Sequence, residues 1–139
     1  MASSTTTSAF PLVVAVDDSS AMRVFFEQAV AGLGVDLRTF PSAAAAAACL
    51  DTHQPALLFL DIIMPAKDGL TYLQELRLTS LHEKTQTIVV SSKDYAQDRA
   101  SAKDLGVLEF VAKPITSRQL AELISRYTGA RAIDESTRA

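Results

Sequence analysis

Short apolar runs alternate with longer helical patterns along the sequence, and this alternation is the feature that most strongly constrains the fold. The runs are continuous rather than alternating, as expected of strands buried on both faces of a parallel sheet. We predict five such strands, at residues 12–16, 35–40, 56–60, 87–90 and 107–112. Strict alternation of five strands with five helices predicts an α/β domain with helices on both faces of the sheet.

Capping and helix-stop residues separate the five predicted helices from the strands. Serine is a favoured N-cap because its hydroxyl accepts a backbone N–H of the first turn. The expected N-caps are Ser19 or Ser20, Ser42 and Ser117. Gly129 ends the last helix. The fourth helix, over residues 96–105, is the most polar and the most weakly patterned.

The chain of 139 residues is long enough for one domain with a sizeable core. Residues 1–9 are polar and rich in Ser and Thr, so we predict that they are disordered. The folded domain is predicted over residues 10–129, followed by a flexible tail over 130–139. Too few residues follow Thr128 for an output module, so we expect a single-domain protein.

Charge, cysteine content and hydropathy exclude several classes of function. The formal net charge is −3, from 13 basic and 16 acidic residues that are scattered, which argues against a nucleic-acid partner. The single cysteine, Cys49, allows neither an intrachain disulfide nor a cysteine-based zinc site. No run approaches the ~18 apolar residues of a membrane span, and the N-terminus lacks a signal-peptide pattern. We therefore expect a cytoplasmic protein.

Polar side chains follow four of the predicted strands. Asp17 and Asp18 come after the first strand, Asp61 after the third, Ser91 after the fourth and Lys113 after the fifth. The carboxyl ends of parallel strands lie at one edge of the sheet, which is where sites form in such folds. Residues far apart in sequence are therefore expected to converge.

This combination of residues suits phosphoryl chemistry. Three neighbouring carboxylates raise one another's pKa, and a hard divalent cation such as Mg²⁺ relieves their repulsion. A carboxylate can act as the nucleophile that forms an aspartyl-phosphate. Lys113 supplies positive charge and Ser91 a hydroxyl donor, and phosphoryl transfer mainly needs alignment and charge neutralisation.

Four segments of the chain resemble the receiver domain of two-component response regulators. They are Val-Val-Ala-Val-Asp-Asp at 13–18, Leu-Phe-Leu-Asp-Ile-Ile-Met-Pro-Ala-Lys-Asp-Gly-Leu at 58–70, Ile-Val-Val-Ser-Ser at 88–92 and Glu-Phe-Val-Ala-Lys-Pro-Ile at 109–115. The resemblance covers roughly residues 11–128, and the segments in this order are far more specific than any one of them. We predict a doubly wound (βα)5 flavodoxin-like fold with a five-stranded parallel sheet in the order 2-1-3-4-5.

The resemblance implies that Asp61 is phosphorylated by a sensor histidine kinase or a histidine phosphotransfer protein. It implies that Asp18 and Asp61 bind Mg²⁺ through their carboxylates, with Asp17 acting directly or through water. The backbone carbonyl of Ile63 would be a further ligand. The protein would then be a switch and no enzyme beyond its own phosphotransfer and autodephosphorylation.

The resemblance also assigns roles to the remaining site residues. Ser91 and Lys113 would hold the phosphoryl oxygens, and the Lys113–Pro114 bond is often cis in this family. Phe110 matches the switch aromatic, which moves inward when Ser91 engages the phosphoryl group. Ile63 and Lys93 flank the route of the attacking water, and we expect that apolar Ile63 gives that water no help.

The output is expected to be a protein contact or onward phosphorelay. Phosphorylation would shift the population of states at the face formed by the fourth helix, fifth strand and fifth helix. An output protein would bind at this face, and the same face allows a homodimer.

Two other functions compete with this interpretation. A Mg²⁺-dependent phosphatase of the haloacid-dehalogenase type also forms an aspartyl-phosphate, but its two acidic residues are two positions apart, whereas Asp17 and Asp18 are adjacent. A phosphorylation-independent pseudo-receiver is the second, and the full set of acidic, hydroxyl and lysine residues argues against it. A phospho-donor role is rejected because His53 is expected at a helix end and His82 in a loop. Phe110 could also be a plain core residue.

Overall fold

Five parallel strands form one sheet in the order β2-β1-β3-β4-β5, which confirms the predicted fold class and strand order. The structure is a computed structural model that describes residues 10–133. The strands are β1 (Leu12–Val16), β2 (Asp36–Phe40), β3 (Leu57–Leu60), β4 (Thr87–Ser91) and β5 (Glu109–Ala112). The helices are α1 (Ser20–Ala29), α2 (Ala43–Leu50), α3 (Gly69–Arg77), α4 (Ala96–Asp104) and α5 (Ser117–Thr128). The predictions for residues 1–9 and 134–139 lie outside the described residues.

Alternate residues of the central strands serve two apolar layers, one on each face of the sheet. In β1, Val13 and Ala15 pack with residues of α1 and α5, whereas Val14 and Val16 pack with residues of α2 and α3. Both faces are buried, so the strand needs apolar residues at every position. This is why the central strands read as continuous apolar runs.

The helices begin at capping side chains, with one exception. The N-cap side chains that accept a backbone N–H are Ser19, Ser42, Asp68 and Thr116. Tyr95 precedes α4 and makes no capping bond through its side chain. Across residues 10–133, no helix has the length and apolar character needed to cross a membrane.

The predicted cap of the last helix is wrong by one residue. Thr116, rather than Ser117, accepts the backbone N–H of Gln119 at 3.0 Å, and the Gln119 side chain accepts the backbone N–H of Thr116 at 2.8 Å. This reciprocal capping box satisfies two otherwise unpaired N–H groups, which a cap at Ser117 could not do. Gly129 ends the helix in the left-handed region, with φ of 77°, as predicted.

The first residues of the predicted flexible tail pack against the body of the domain. The backbone carbonyl of Arg131 accepts the N–H of Gly34 at 2.9 Å, and the N–H of Ile133 donates to the carbonyl of Gly32 at 2.8 Å. The packed chain therefore extends through residue 133, beyond the predicted boundary at residue 129. Backbone pairing with the connection between α1 and β2 orders these residues.

His82 lies in the loop before β4, as predicted, but its side chain is buried. One ring nitrogen is 2.5 Å from the backbone carbonyl of Leu50 and the other is 2.9 Å from the hydroxyl of Thr85. The ring therefore joins the end of α2 to this loop. That structural role agrees with the rejection of a phospho-donor function.

Candidate functional site

Three carboxylates meet at the carboxyl edge of the sheet, as the sequence predicts. Asp17 and Asp18 follow β1, and Asp61 follows β3. The backbone N–H of Asp61 donates to the carbonyl of Val16 at 3.0 Å, which holds the two strand ends together. Each side chain has a carboxylate oxygen within 4.8 Å of the others. Asp17 and Asp61 are only 2% and 5% exposed, whereas Asp18 is exposed.

Lys113 reaches this acidic cluster from the end of β5. Its ammonium nitrogen donates to Asp17 Oδ2 at 2.9 Å and lies 3.8 Å from Asp61 Oδ1. The Lys113–Pro114 peptide bond is cis, as the resemblance implies. A mostly buried cation thus lies between two buried carboxylates and partly offsets their repulsion.

The carboxyl group of Asp61 is in an unfavourable place for a negative charge. Burial, followed by repulsion from Asp17, raises its pKa from 3.8 to about 6, although Lys113 opposes the rise. Among residues 10–133, Asp61 Oδ1 is the one buried side-chain oxygen or nitrogen without a hydrogen-bond partner. Such an atom normally requires a partner, so this oxygen lacks a contact that a bound cation or donor group would supply.

Ser91 lies at the end of β4, fully buried, and is linked to both of its neighbours in the site. Its hydroxyl accepts the backbone N–H of Lys93 at 3.1 Å, and its carbonyl accepts the backbone N–H of Lys113 at 2.8 Å. Since a hydroxyl can donate as well as accept, Ser91 keeps a proton that it can donate to a ligand.

Two other predicted site residues are Phe110, on β5, and Ile63, two residues after Asp61. Phe110 is half-buried on β5 and packs against the apolar cluster of Ile62, Val89 and Ala102. Ile63 has a 46% exposed side chain and lines an open groove of about 570 Å³ between α3 and α4. Both residues thus lie at the strand and loop positions that the sequence predicts.

Two residues that support the site were not predicted from the sequence. Arg23 on α1 donates to the backbone carbonyl of Asp17 at 2.8 Å, so it fixes the loop that carries the acidic pair. Gly69, the first residue of α3, lies directly against the backbone of Asp61: a Cβ there would be 2.1 Å from the Asp61 carbonyl oxygen. Only Gly69 had a sequence signal, since a glycine beginning a helix is unusual.

The chemistry of the cluster fits a hard divalent cation. The donors are carboxylate oxygens, two of them buried, and one has an unsatisfied lone-pair site. Such donors favour Mg²⁺, which retains several waters and needs few protein ligands. The residues present therefore fit this metal.

Comparison with known proteins agrees with the fold. The family described as the response regulator receiver domain matches residues 13–125. The chain belongs to this family, the receiver domains of two-component response regulators. Such domains are switches that bind a divalent cation at an acidic pocket, here formed by Asp17, Asp18 and Asp61.

Individual relatives differ in how much of their length the chain covers. Protein PilG of Pseudomonas aeruginosa is 31% identical over 116 residues, which are 83% of this chain and 85% of PilG. The DNA-binding transcriptional regulator NtrC of Escherichia coli K12 is 30% identical over 115 residues, 83% of this chain but 24% of NtrC. The chain thus spans about a quarter of the length of the NtrC relatives. The Vibrio cholerae chemotaxis protein CheY4 shares the fold with a TM-score of 0.78, at 21% identity, over 86% of this chain and 99% of CheY4.

Proposed function

We propose that Asp61 accepts a phosphoryl group from a histidine kinase or a histidine phosphotransfer protein, and that the phosphorylated chain signals through a protein contact or passes the group onward. The observation that carries the proposal is the state of Asp61 itself. Its carboxylate is buried beside two others and beside Lys113, and one of its oxygens has no hydrogen-bond partner.

The transfer would exchange one phosphorus bond for another. The P–N bond of the donor phosphohistidine breaks as a P–O bond forms to a carboxylate oxygen of Asp61, and the imidazole leaves. Lys113 would move from Asp17 toward the new phosphoryl oxygens, which carry more negative charge than the carboxylate they replace. Ser91 would donate its hydroxyl proton to one of them. These are positioning and electrostatic roles, which dominate phosphoryl transfer.

Mg²⁺ would be held by the carboxylates of Asp18 and Asp61, by the carbonyl of Ile63, and by Asp17 directly or through water. When bound, it supplies positive charge that offsets repulsion between the carboxylates and the incoming phosphoryl group. A solved structure with the same fold supports a divalent cation as ligand. Response regulator Rcp1, which is 19% identical with a TM-score of 0.76, is known in an Mn²⁺-bound form.

Phosphotransfer profiling tests the proposal directly. The purified chain is incubated with ³²P-labelled histidine kinases and phosphotransfer proteins of the source organism, and separately with acetyl phosphate and Mg²⁺. We expect labelling that requires Mg²⁺ and is lost in Asp61→Asn. Asp104→Asn, at an exposed carboxylate on α4, is the matched control and should be labelled normally.

Two other outcomes would contradict the proposal. Sustained phosphate release from a phosphomonoester would instead favour a phosphatase of the haloacid-dehalogenase type. Failure of every donor to label the wild-type chain would favour a scaffold that works without phosphorylation.

The side chain at position 63 should set the lifetime of the phosphorylated state. Ile63 is exposed beside the phosphorylation site but cannot hydrogen-bond to water. We expect Ile63→Asn to shorten the half-life of phosphorylated Asp61 by about two- to tenfold, the effect of one added hydrogen bond. Loss of label after removal of the donor measures this half-life. Ile63→Val is the control, and an unchanged or longer half-life in Ile63→Asn would contradict the prediction.

The proposed output surface is the face formed by α4, β5 and α5, which can bind another protein or a second copy of the chain. Tyr95 and Leu108 expose 56% and 40% of their surface near this face. Their exposure supports a protein contact rather than a catalytic role. We also propose, from the sequence, that the protein acts in the cytoplasm.

A further inference from the structure

Arg99 on α4 makes two contacts that the proposed phosphorylation chemistry does not use. Its guanidinium group forms a two-pronged ion pair with Asp94, in which Nε contacts Oδ1 and Nη2 lies 3.0 Å from Oδ2. The same guanidinium lies over the ring of Phe110, with its carbon 4.6 Å from the ring centroid. One side chain thus joins the loop after β4, the helix α4 and the strand β5.

The rest of α4 is weakly attached, which gives these contacts more influence than a surface ion pair normally has. Its N-cap residue, Tyr95, makes no capping bond through its side chain, and Ala102 is its single buried residue. An exposed ion pair or cation–π contact is weak alone, but here both act on a helix with few other restraints. The hydrogen bond from Arg99 also lowers the pKa of Asp94, so the pair stays charged.

A chain of contacts connects this arrangement to the phosphorylation site. Ser91 accepts the N–H of Lys93 through its hydroxyl, and Asp94 is the next residue. Because a hydroxyl donates one hydrogen bond and accepts two, Ser91 can keep the hydrogen bond from the Lys93 N–H while it donates to a phosphoryl oxygen. A movement of Ser91 toward that oxygen would therefore pull residues 93–94 with it.

We propose that Arg99 is a positioning residue that holds Phe110 in its half-buried place through its pair with Asp94, and that movement of Ser91 is transmitted to the ring along this connection. The inference rests on the proposed function, because it assigns the coupling between the phosphorylated site and Phe110. Removing Arg99 should release the ring and raise the population of the activated arrangement before phosphorylation.

Backbone amide chemical shifts provide a readout that is remote from the mutation. In the wild-type chain, the amides of Asp61, Ser91 and Lys113 are recorded without ligand and with Mg²⁺ and beryllofluoride, a phosphoryl mimic. For each amide, the two chemical shifts define a line from the resting to the activated state. We expect the amide shifts of ligand-free Arg99→Ala to lie part of the way along that line. We also expect acetyl phosphate to label this variant about two- to fivefold faster than the wild type.

Further variants distinguish the loss of the Asp94–Arg99 contact from a general loss of packing. Asp94→Asn should move the same amides in the same direction, by a smaller amount. The amide shifts of the double variant should equal those of Arg99→Ala, because both residues act through one contact. Arg118→Ala, which removes an exposed pair with Glu122 on α5, is the matched control and should coincide with wild type. Thermal unfolding checks that each variant is folded.

The outcomes distinguish this inference from the proposed function. If the wild-type amides respond to beryllofluoride but Arg99→Ala coincides with ligand-free wild type, the positioning role is wrong and the phosphorylation switch stands. If the shifts of the two single variants simply add in the double variant, Asp94 and Arg99 act separately and the connection is wrong. If the wild-type chain neither responds to beryllofluoride nor becomes labelled, the proposed function fails and this inference fails with it.

Discussion

Replacing Asp61 with asparagine is expected to stabilise the metal-free protein at pH 7.5 by about 2–3 kcal/mol. Burial and the nearby Asp17 raise the pKa of the Asp61 carboxyl from 3.8 to about 6, so its ionisation opposes folding. Asparagine has nearly the same shape and no charge. Lys113 keeps its partner in the variant, because its shorter contact is with Asp17 at 2.9 Å.

The pH dependence of this difference follows from the direction of the pKa shift. Between pH 3.8 and about 6 the folded protein binds more protons than the unfolded chain, so the stability of the wild type falls as pH rises through this window. The loss is complete above about pH 6. The advantage of Asp61→Asn should therefore be full at pH 7.5 and vanish below about pH 4.

Urea unfolding followed by circular dichroism, in buffers containing EDTA from pH 4 to 8, measures the difference. Asp104→Asn, on the exposed side of α4, is the control and should show little change. Mg²⁺ should stabilise the wild type more than Asp61→Asn, because it binds the folded state through the missing carboxylate. If Asp61→Asn were no more stable than the wild type at pH 7.5, the ionised carboxylate would not destabilise the fold.

Elements whose structure depends on local patterns were predicted well from the sequence. The bounds of β1 and the N-cap of α2 agree with their predictions, because β1 is buried on both faces and α2 is an alanine run capped by Ser42. β5 begins at Glu109, two residues later than predicted. The preceding Val107 and Leu108 are apolar, but they belong to the turn from α4, and hydrophobicity alone cannot distinguish the two.

The candidate site was predictable as a set of residues but not as a set of contacts. Strand order brings Asp17, Asp61 and Lys113 to one edge, whatever their separation in sequence. That Lys113 is closer to Asp17 than to Asp61 depends on side-chain packing across 96 positions of sequence. The cap at Thr116 did have a local signal, since Gln119 stands three residues later, as a capping box requires.

A glycine at the start of α3 is a local signal, but nothing in the local sequence shows that Gly69 lies against Asp61. This contact makes Gly69→Ala the substitution with the largest expected effect. Gly69 donates its N–H to the Ile62 carbonyl at 2.8 Å, which brings the start of α3 against the end of β3. A Cβ at this position would lie 2.1 Å from the carbonyl oxygen of Asp61 and 2.9 Å from its carbonyl carbon. These are backbone atoms, so no side-chain rotation can relieve the overlap.

We expect Gly69→Ala to reduce the free energy of unfolding by about 3–4 kcal/mol, because either α3 or the backbone at Asp61 must move. The variant should also be labelled more slowly by acetyl phosphate under conditions in which it is still folded, since the displaced backbone carries Asp61. Gly32→Ala is the matched control: a Cβ there meets no atom within 4 Å, so its stability and labelling should stay near wild type. Urea unfolding of the two variants in parallel measures the effect. If Gly69→Ala were as stable as Gly32→Ala, α3 could shift away from Asp61 without loss, and the close contact between α3 and the Asp61 backbone would not be needed for folding.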